Sequence, residues 1–200
     1  MNLEEHWEQV YRSKRSDGVS WFRPHLETSL ALIRATGAPF SAPVLDVGGG
    51  ASTLVDDLAD AGYSNLTVLD VSTAALDAAR HRLGARSTGV AWIAAEATRA
   101  PLPHAHFQIW HDRAVFHFLT DEEDRRRYVE QVRHAVAPGG HVIVATFGPD
   151  GPQRCSGLPT GRYDADALHA EFGSGFELIE HREEQHRTPG GVDQQFVYCL

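Results

Sequence analysis

Apolar positions along the chain fall into two alternating patterns. Short, nearly continuous runs read as buried strands, and segments with apolar residues three or four apart read as helices. Val44–Val47 is the first short run, and it ends in Gly48-Gly49-Gly50. Ser52 then caps a helix whose Leu54, Val55 and Leu58 share one face, with Gly62 as its stop. Leu66–Leu69 is a second strand, closed by Asp70, and Ser72 opens a helix to about Leu83, where Gly84 ends it. Val90–Ala94 and Phe107–Trp110 read as strands three and four. Thr120 with Glu123 reads as a capping box before Tyr128, Val132 and Val136, and Pro138-Gly139-Gly140 terminates that helix. His141–Phe147, rich in β-branched residues, is a fifth strand. Strands alternating with helices predict a mostly parallel sheet covered on both faces.

The two ends differ from this middle. Asp164–Phe172 reads as a helix, and Phe176–Glu180 and Gln195–Leu200 as two strands. Little but Thr188-Pro189-Gly190-Gly191 separates them, so they predict an antiparallel hairpin and a seven-stranded sheet. Leu3–Lys14 and His25–Thr36 read as helices ahead of the first strand. The expected organisation is a single domain over 1–200, with 1–40 a helical lid and 41–200 the core.

Composition narrows the classes. The 200 residues are 42% hydrophobic and 22% charged, which suits one globular core. Met1–Val10 is charged and no long apolar run follows, so neither a secretory signal nor a membrane span is expected. Cys155 and Cys199 are too few for a disulfide scaffold and are not spaced as zinc ligands, so no metal is expected. Two free thiols fit a reducing compartment, and the expected location is cytoplasmic. A formal net charge of −9 repels phosphate backbones, so nucleic acid is not an expected partner. The one basic cluster, Arg125 to Arg127, sits beside Asp121, Glu122, Glu123 and Asp124 and reads as a solvated helix face.

The candidate chemistry lies at the strand ends. Asp46 stands two residues before Gly48-Gly49-Gly50, where backbone can approach a ligand that a Cβ would exclude. Asp70 ends the second strand, Glu96 follows the third and Asp112 ends the fourth. A carboxylate after the second strand suits the two hydroxyls of a ribose. The same Asp70 would serve an NAD-dependent oxidoreductase. The dinucleotide turn, however, is G-x-G-x-x-G, and Ala51, Ser52 and Thr53 follow Gly50 here. A nucleotide-binding module without catalysis is a further alternative.

This ordered set resembles the class I methyltransferases. Val44 to Ser52 is similar to their D-x-G-x-G-x-G motif, with Ser52 in place of the last glycine; Leu66 to Ser72 resembles their ribose-binding strand. Glu96-Ala97 with Leu102-Pro103 is similar to the adenine-side segment, and Val136 to His141 to their L-x-P-G-G-x element. Within that superfamily, His6-Trp7-Glu8-Gln9-Val10-Tyr11 and Trp21-Phe22 resemble the opening segments of the elongation-factor lysine methyltransferases. Phe107–Leu119 resembles their strand-four segment, with Arg113 for Lys, Ala114 for Gly and His117 for Asp.

The resemblance implies a Rossmann-like three-layer sandwich that binds S-adenosylmethionine and releases S-adenosylhomocysteine. It implies cofactor contacts from Asp46, Gly48, Gly49, Gly50, Asp70, Val71, Glu96 and Ala97. Trp7, Tyr11 and Trp21 would close the pocket, and Arg113 would lie near the cofactor's carboxylate or the strand-four wall. A carboxylate at Asp46 suits an ammonium or sulfonium and repels a pyrophosphate. Aromatic faces likewise attract a sulfonium.

Methyl transfer needs alignment, and for thiol, hydroxyl or ammonium acceptors also the loss of a proton. Asp112 is the first candidate for a base or shaping carboxylate, followed by His111 and His117. No N-P-P-Y or D-P-P-Y element follows the fourth strand, which disfavours nucleobase amines. The expected acceptor is a small-molecule O, N or S nucleophile, with a protein lysine as the alternative. The expected assembly is a monomer or homodimer.

Overall fold

A computed structural model describes residues 2–200. Its order is α1 (Leu3–Ser13), α2 (Glu27–Ala35), β1 (Val44–Val47), α3 (Leu54–Asp60), β2 (Leu66–Asp70), α4 (Thr73–Leu83) and β3 (Val90–Ala94). There follow β4 (Phe107–Arg113), α5 (Glu122–Ala135), β5 (Val136–Phe147), the short pair β6 (Arg154–Cys155) and β7 (Leu158–Pro159), α6 (Ala165–Phe172), β8 (His181–Arg187) and β9 (Asp193–Cys199).

Seven strands form one sheet in the order β3-β2-β1-β4-β5-β9-β8. β1 to β5 run parallel, and β9 inserts antiparallel between β5 and β8. This is the Rossmann-like class I methyltransferase architecture with its C-terminal antiparallel hairpin. β1 and β2 are buried along their whole length, as strands covered on both faces must be. One face packs Leu32, Ile33, Leu54, Leu58 and Ile143. The other packs Trp110, Phe116, Tyr128, Val132 and Leu168. A register shift between Phe107 and Ile109 sends these two to opposite cores, and it sets which way the rest of β4 points.

Strand order reverses between β1 and β4, the place where such sheets open a crevice. Register lays Val47 beside Leu69 and Asp112. The turn after β1 therefore lies directly beside Asp70 and Arg113.

Several boundaries differ from the sequence expectation: Thr53, not Ser52, is the N-cap of α3, and β5 begins at Val136, not His141. Asp121, not Thr120, caps α5: its carboxylate accepts from the Glu123 amide at 2.9 Å, while the Thr120 amide closes the preceding turn onto Phe118. α5 stops at Ala135, before Pro138, because Ala105 and His106 donate to the carbonyls of His134 and Ala135. β4 runs on through Arg113. Phe176–Glu180 is not a strand. Phe176 and Leu178 pack onto the second core, and the strand is the following polar segment His181–Arg187. β8 is a sheet edge, where outward charges block further pairing, and an apolar run is a poor guide there.

Candidate active site

A cavity of about 240 Å³ opens at the C-terminal ends of β1, β2 and β4. One end is built of backbone and carboxylates. Gly48 has φ +66°, and a Cβ there would overlap Val115. At Gly49 a Cβ would strike the Asp46 carboxylate, and at Gly50 the Asp70 carboxylate. Glycine is therefore required at all three by close approach, and at Gly48 also by conformation. Ser52 has no positive φ, so a side chain is tolerated where the family motif has its last glycine. Its hydroxyl accepts from the Leu54 amide at 3.2 Å, and Arg82 fixes the carbonyls of Ala51 and Ser52 at 3.0 and 2.5 Å.

Asp46 is buried. His111 Nδ1 lies 2.8 Å from one carboxylate oxygen, and His111 Nε2 lies 2.9 Å from the Ser29 hydroxyl. With Nδ1–H donating to Asp46, His111 Nε2 accepts from the Ser29 hydroxyl. The second Asp46 oxygen is buried without a hydrogen-bond partner. Asp70 lines the cavity and accepts from the Ser72 amide at 2.8 Å. Burial pushes its carboxyl up to about 7, partly offset by that amide, with the Asp46 charge adding to the rise. Val71, Glu96 and Ala97 continue this wall, and Glu96 pairs with Arg99 at 2.8 Å.

The other end is aromatic. Trp7 meets Trp21 and Phe118 edge-on, at centroid distances of 5.5 and 5.1 Å, and Tyr11 meets Trp21 at 6.1 Å. Phe147, Phe196 and Cys155 complete the lining. Burial raises the Tyr11 hydroxyl far above its ordinary range, with the nearby Asp70 charge adding to it.

Arg113 joins the two ends. Its Nε donates to the Tyr198 hydroxyl at 2.8 Å and its Nη1 to the Trp21 carbonyl at 3.0 Å. The guanidinium lies 4.4 Å over the Phe196 ring and faces Glu184 at 3.6 Å. Glu184 also accepts from Thr28 at 2.5 Å and pairs with Arg23 at 3.0 Å.

The three candidate proton acceptors do not converge on this space. Asp112 is fully buried, and its carboxylate accepts from Val115 N, Phe116 N and the Tyr128 hydroxyl at 2.9, 3.1 and 2.5 Å. It shapes the 115–118 turn, and it pairs with neither Arg113 nor Arg80. Burial raises it to about 6. His111 is held between Asp46 and Ser29. His117 stacks on Phe147 at 4.3 Å, takes the Phe147 amide on Nδ1 at 3.3 Å, and is pushed down to about 3 by burial and the Arg113 charge. It is neutral at physiological pH. Among the described residues no His, Cys, Asp and Glu cluster could hold a metal. No helix there is long and apolar enough to cross a membrane.

The aromatic wall beyond residue 21 escapes sequence reading. Phe118, Phe147, Phe196 and Glu184 carry no spacing signal, since their positions become neighbours only through the sheet order. Glu8, on α1, is likewise missed.

The donor set fits S-adenosylmethionine. The Asp46 oxygen, buried and unpartnered beside the glycine turn, suits the ligand's ammonium, Asp70 on the cavity wall suits a ribose, and side chains at Gly49 and Gly50 would displace both carboxylates. The fold is that of the class I S-adenosylmethionine-dependent methyltransferases, and the site's residues fit their cofactor. A family model described as a methyltransferase domain matches residues 44–140. The bovine (Bos taurus) eEF1A lysine and N-terminal methyltransferase is 26% identical over 140 residues, 70% of this chain and 20% of that protein. The chain thus spans about a fifth of that relative's length. The zebrafish (Danio rerio) EEF1A lysine methyltransferase 2 is 24% identical over 214 aligned positions, taking in all of this chain and 86% of that one. A structure solved for the conversion of a disulfide bond into a thioacetal group during echinomycin biosynthesis shares the fold. Its TM-score is 0.79 at 22% identity, over 99% of this chain and 91% of that one.

Proposed function

We propose that the protein transfers a methyl group from S-adenosylmethionine to an amine, and that the acceptor is a lysine side chain of a protein. The observation that carries this reading is the full-length similarity to EEF1A lysine methyltransferase 2, which includes the N-terminal aromatic segment lining the cavity. The reading reverses the expectation of a small-molecule acceptor.

When bound, the cofactor supplies a methyl carbon activated by a sulfonium. The chain's residues then have three tasks. Asp46, Gly48 to Gly50, Asp70, Val71, Glu96 and Ala97 hold and orient it. Trp7, Tyr11, Trp21 and Phe118 exclude water and offer electron-rich ring faces to a cationic centre. The aliphatic stem of a lysine fits the apolar wall of Phe147 and Phe196. Asp112, His111 and His117 are each engaged in the protein's own hydrogen bonds. The amine therefore sheds its proton to solvent before entry, and the protein contributes alignment. The whole chain acts as one domain in the cytoplasm, and of the expected 1–40 lid the part through Trp21 covers the cavity while α2 packs into the core.

One observation favours a small-molecule acceptor as the second reading. Arg113 brings a cation to the aromatic end, where it faces Glu184 at 3.6 Å. That arrangement suits a thiolate better than an ammonium. Both readings meet one experiment. Methyl-labelled cofactor is incubated with the protein and a lysate of the source cells, and the label is split into acid-precipitable and soluble fractions. Label on lysine in digested precipitate supports the first reading. Label confined to the soluble fraction sinks it in favour of the second.

A further inference from the structure

α1 supplies Leu3, Trp7 and Tyr11 to the cavity wall, yet it holds to the body almost entirely by apolar packing. The side-chain hydrogen bonds that tie it to α4 come from one residue, Glu8. The Glu8 Oε2 accepts from the Ser72 hydroxyl at 2.7 Å and from the Ala74 amide at 3.1 Å. Both donors belong to the first turn of α4, where unpaired amides and the helix dipole favour a carboxylate. Its other oxygen pairs with Arg12 at 2.9 Å within α1.

Ser72 makes this contact more than a surface tether. It is fully buried, its amide donates to Asp70 at 2.8 Å, and its hydroxyl also accepts from Ala75 at 3.2 Å. One residue thus links the docking of α1 to the carboxylate that faces the cavity. Loosening Glu8 frees the helix carrying Trp7 and Tyr11, and removes a partner from the turn that aims Asp70.

We infer that Glu8 is a positioning residue, a latch that holds α1 closed over the cofactor cavity and sets the rate at which cofactor and product leave. The inference rests on the reading of this cavity as the S-adenosylmethionine site. It extends that reading to a residue outside the lining.

The test uses the full chain with S-adenosylhomocysteine. Release is followed by stopped-flow chase on the intrinsic fluorescence that Trp7 and Trp21 contribute at the cavity wall. Glu8→Ala is expected to speed release about tenfold and to raise the KM for S-adenosylmethionine similarly, with kcat at saturation within twofold of the parent. Glu8→Gln keeps an oxygen for the Ser72 hydroxyl and should recover most of the loss. Arg12→Ala, which breaks only the pair within α1, should leave release unchanged. Hydrogen exchange over residues 3–13 without ligand should accelerate in Glu8→Ala, a readout independent of any cofactor. Release and exchange both at parental values in Glu8→Ala would overturn the latch. A parent protein that binds no S-adenosylhomocysteine, with α1 exchange still accelerated in the variant, would instead overturn the cavity reading and leave Glu8 a purely structural tether.

Discussion

The carboxylate end and the aromatic end of the cavity are assembled in opposite ways. Gly48, Asp70 and Glu96 line the cavity at the ends of three successive strands, β1 to β3, with Asp46 buried behind the first turn. Trp7, Trp21, Phe118, Phe147 and Phe196 come from five segments that only the sheet order and the N-terminal helix bring together. The first end depends on backbone conformation and single polar atoms. The second depends on packing, with Arg113 as its one charged strut. A strand-end geometry set by local turns can keep its ligand while a packed wall changes, so cofactor and acceptor recognition are free to diverge separately.

The sharpest way to test that division is to remove the strut. Arg113→Ala leaves Glu184 buried beside Arg23 and Thr28 and takes a donor from both Tyr198 and the Trp21 carbonyl. Loss of one partner of a buried pair typically costs about 3–5 kcal/mol. Urea unfolding should show a loss of that size, with the N-terminal segment becoming sensitive to protease first. A loss below about 1 kcal/mol on the same scale would mean that the aromatic end holds itself together.

At the carboxylate end the expected effect is smaller in stability and larger in binding. Asp70→Ala should weaken S-adenosylhomocysteine binding by about 1–3 kcal/mol, or roughly 5- to 150-fold, in calorimetry. Asp70 also carries a pH signature. Its folded value of about 7 lies above the roughly 3.9 of an unfolded aspartate. The folded chain therefore binds more protons between those values, and stability falls as pH rises from about 4 to 7. Asp70→Asn should flatten that slope and raise the melting temperature of the ligand-free protein at pH 8, with binding weakened no more than in Asp70→Ala. An unchanged slope would place the proton elsewhere, with Asp112, raised to about 6, the next group to replace.

These contrasts explain what could be read in advance. The alternation of strands and helices, the glycine turn and the acids at strand ends are local patterns; the sheet follows them, with Asp70 on the cavity wall and Asp46 buried behind the glycine turn. The polar edge strand His181–Arg187 was missed because edges are marked by charge, and Phe176–Glu180 was taken for it because apolar residues also line core-packed loops. Asp112 reads as a base because the sequence pattern ends the fourth strand there, but β4 runs on through Arg113, and the register shift at Phe107/Ile109 turns Asp112 to the face that holds Tyr128. The aromatic wall left no trace in spacing.

A smaller effect probes the boundary between the two ends. Ala114 has φ +74° and lines the cavity, at the position where the family resemblance has glycine. A left-handed conformation costs a non-glycine residue roughly 1–2 kcal/mol, and glycine gives part of this back as unfolded-chain entropy. Ala114→Gly should therefore stabilise the protein by about 0.5–1 kcal/mol, seen as a rise in melting temperature. Unchanged or lower stability would show that the Ala114 methyl packs against the wall strongly enough to offset its backbone strain. In that case the aromatic end constrains the backbone as well as the side chains.

The smallest effect separates motif from mechanism. Ser52 departs from the glycine pattern, yet its backbone is ordinary, its hydroxyl accepts from Leu54, and Arg82 holds the adjoining carbonyls. Restoring the pattern by Ser52→Gly offers the ligand no new space or conformation. Affinity for S-adenosylhomocysteine should stay within twofold of the parent. Stability should fall by only a few tenths of a kcal/mol as the bond to Leu54 is lost. A marked gain in affinity would show instead that the side chain at Ser52 constrains the turn, and that the carboxylate end is less independent of its surroundings than its local construction implies.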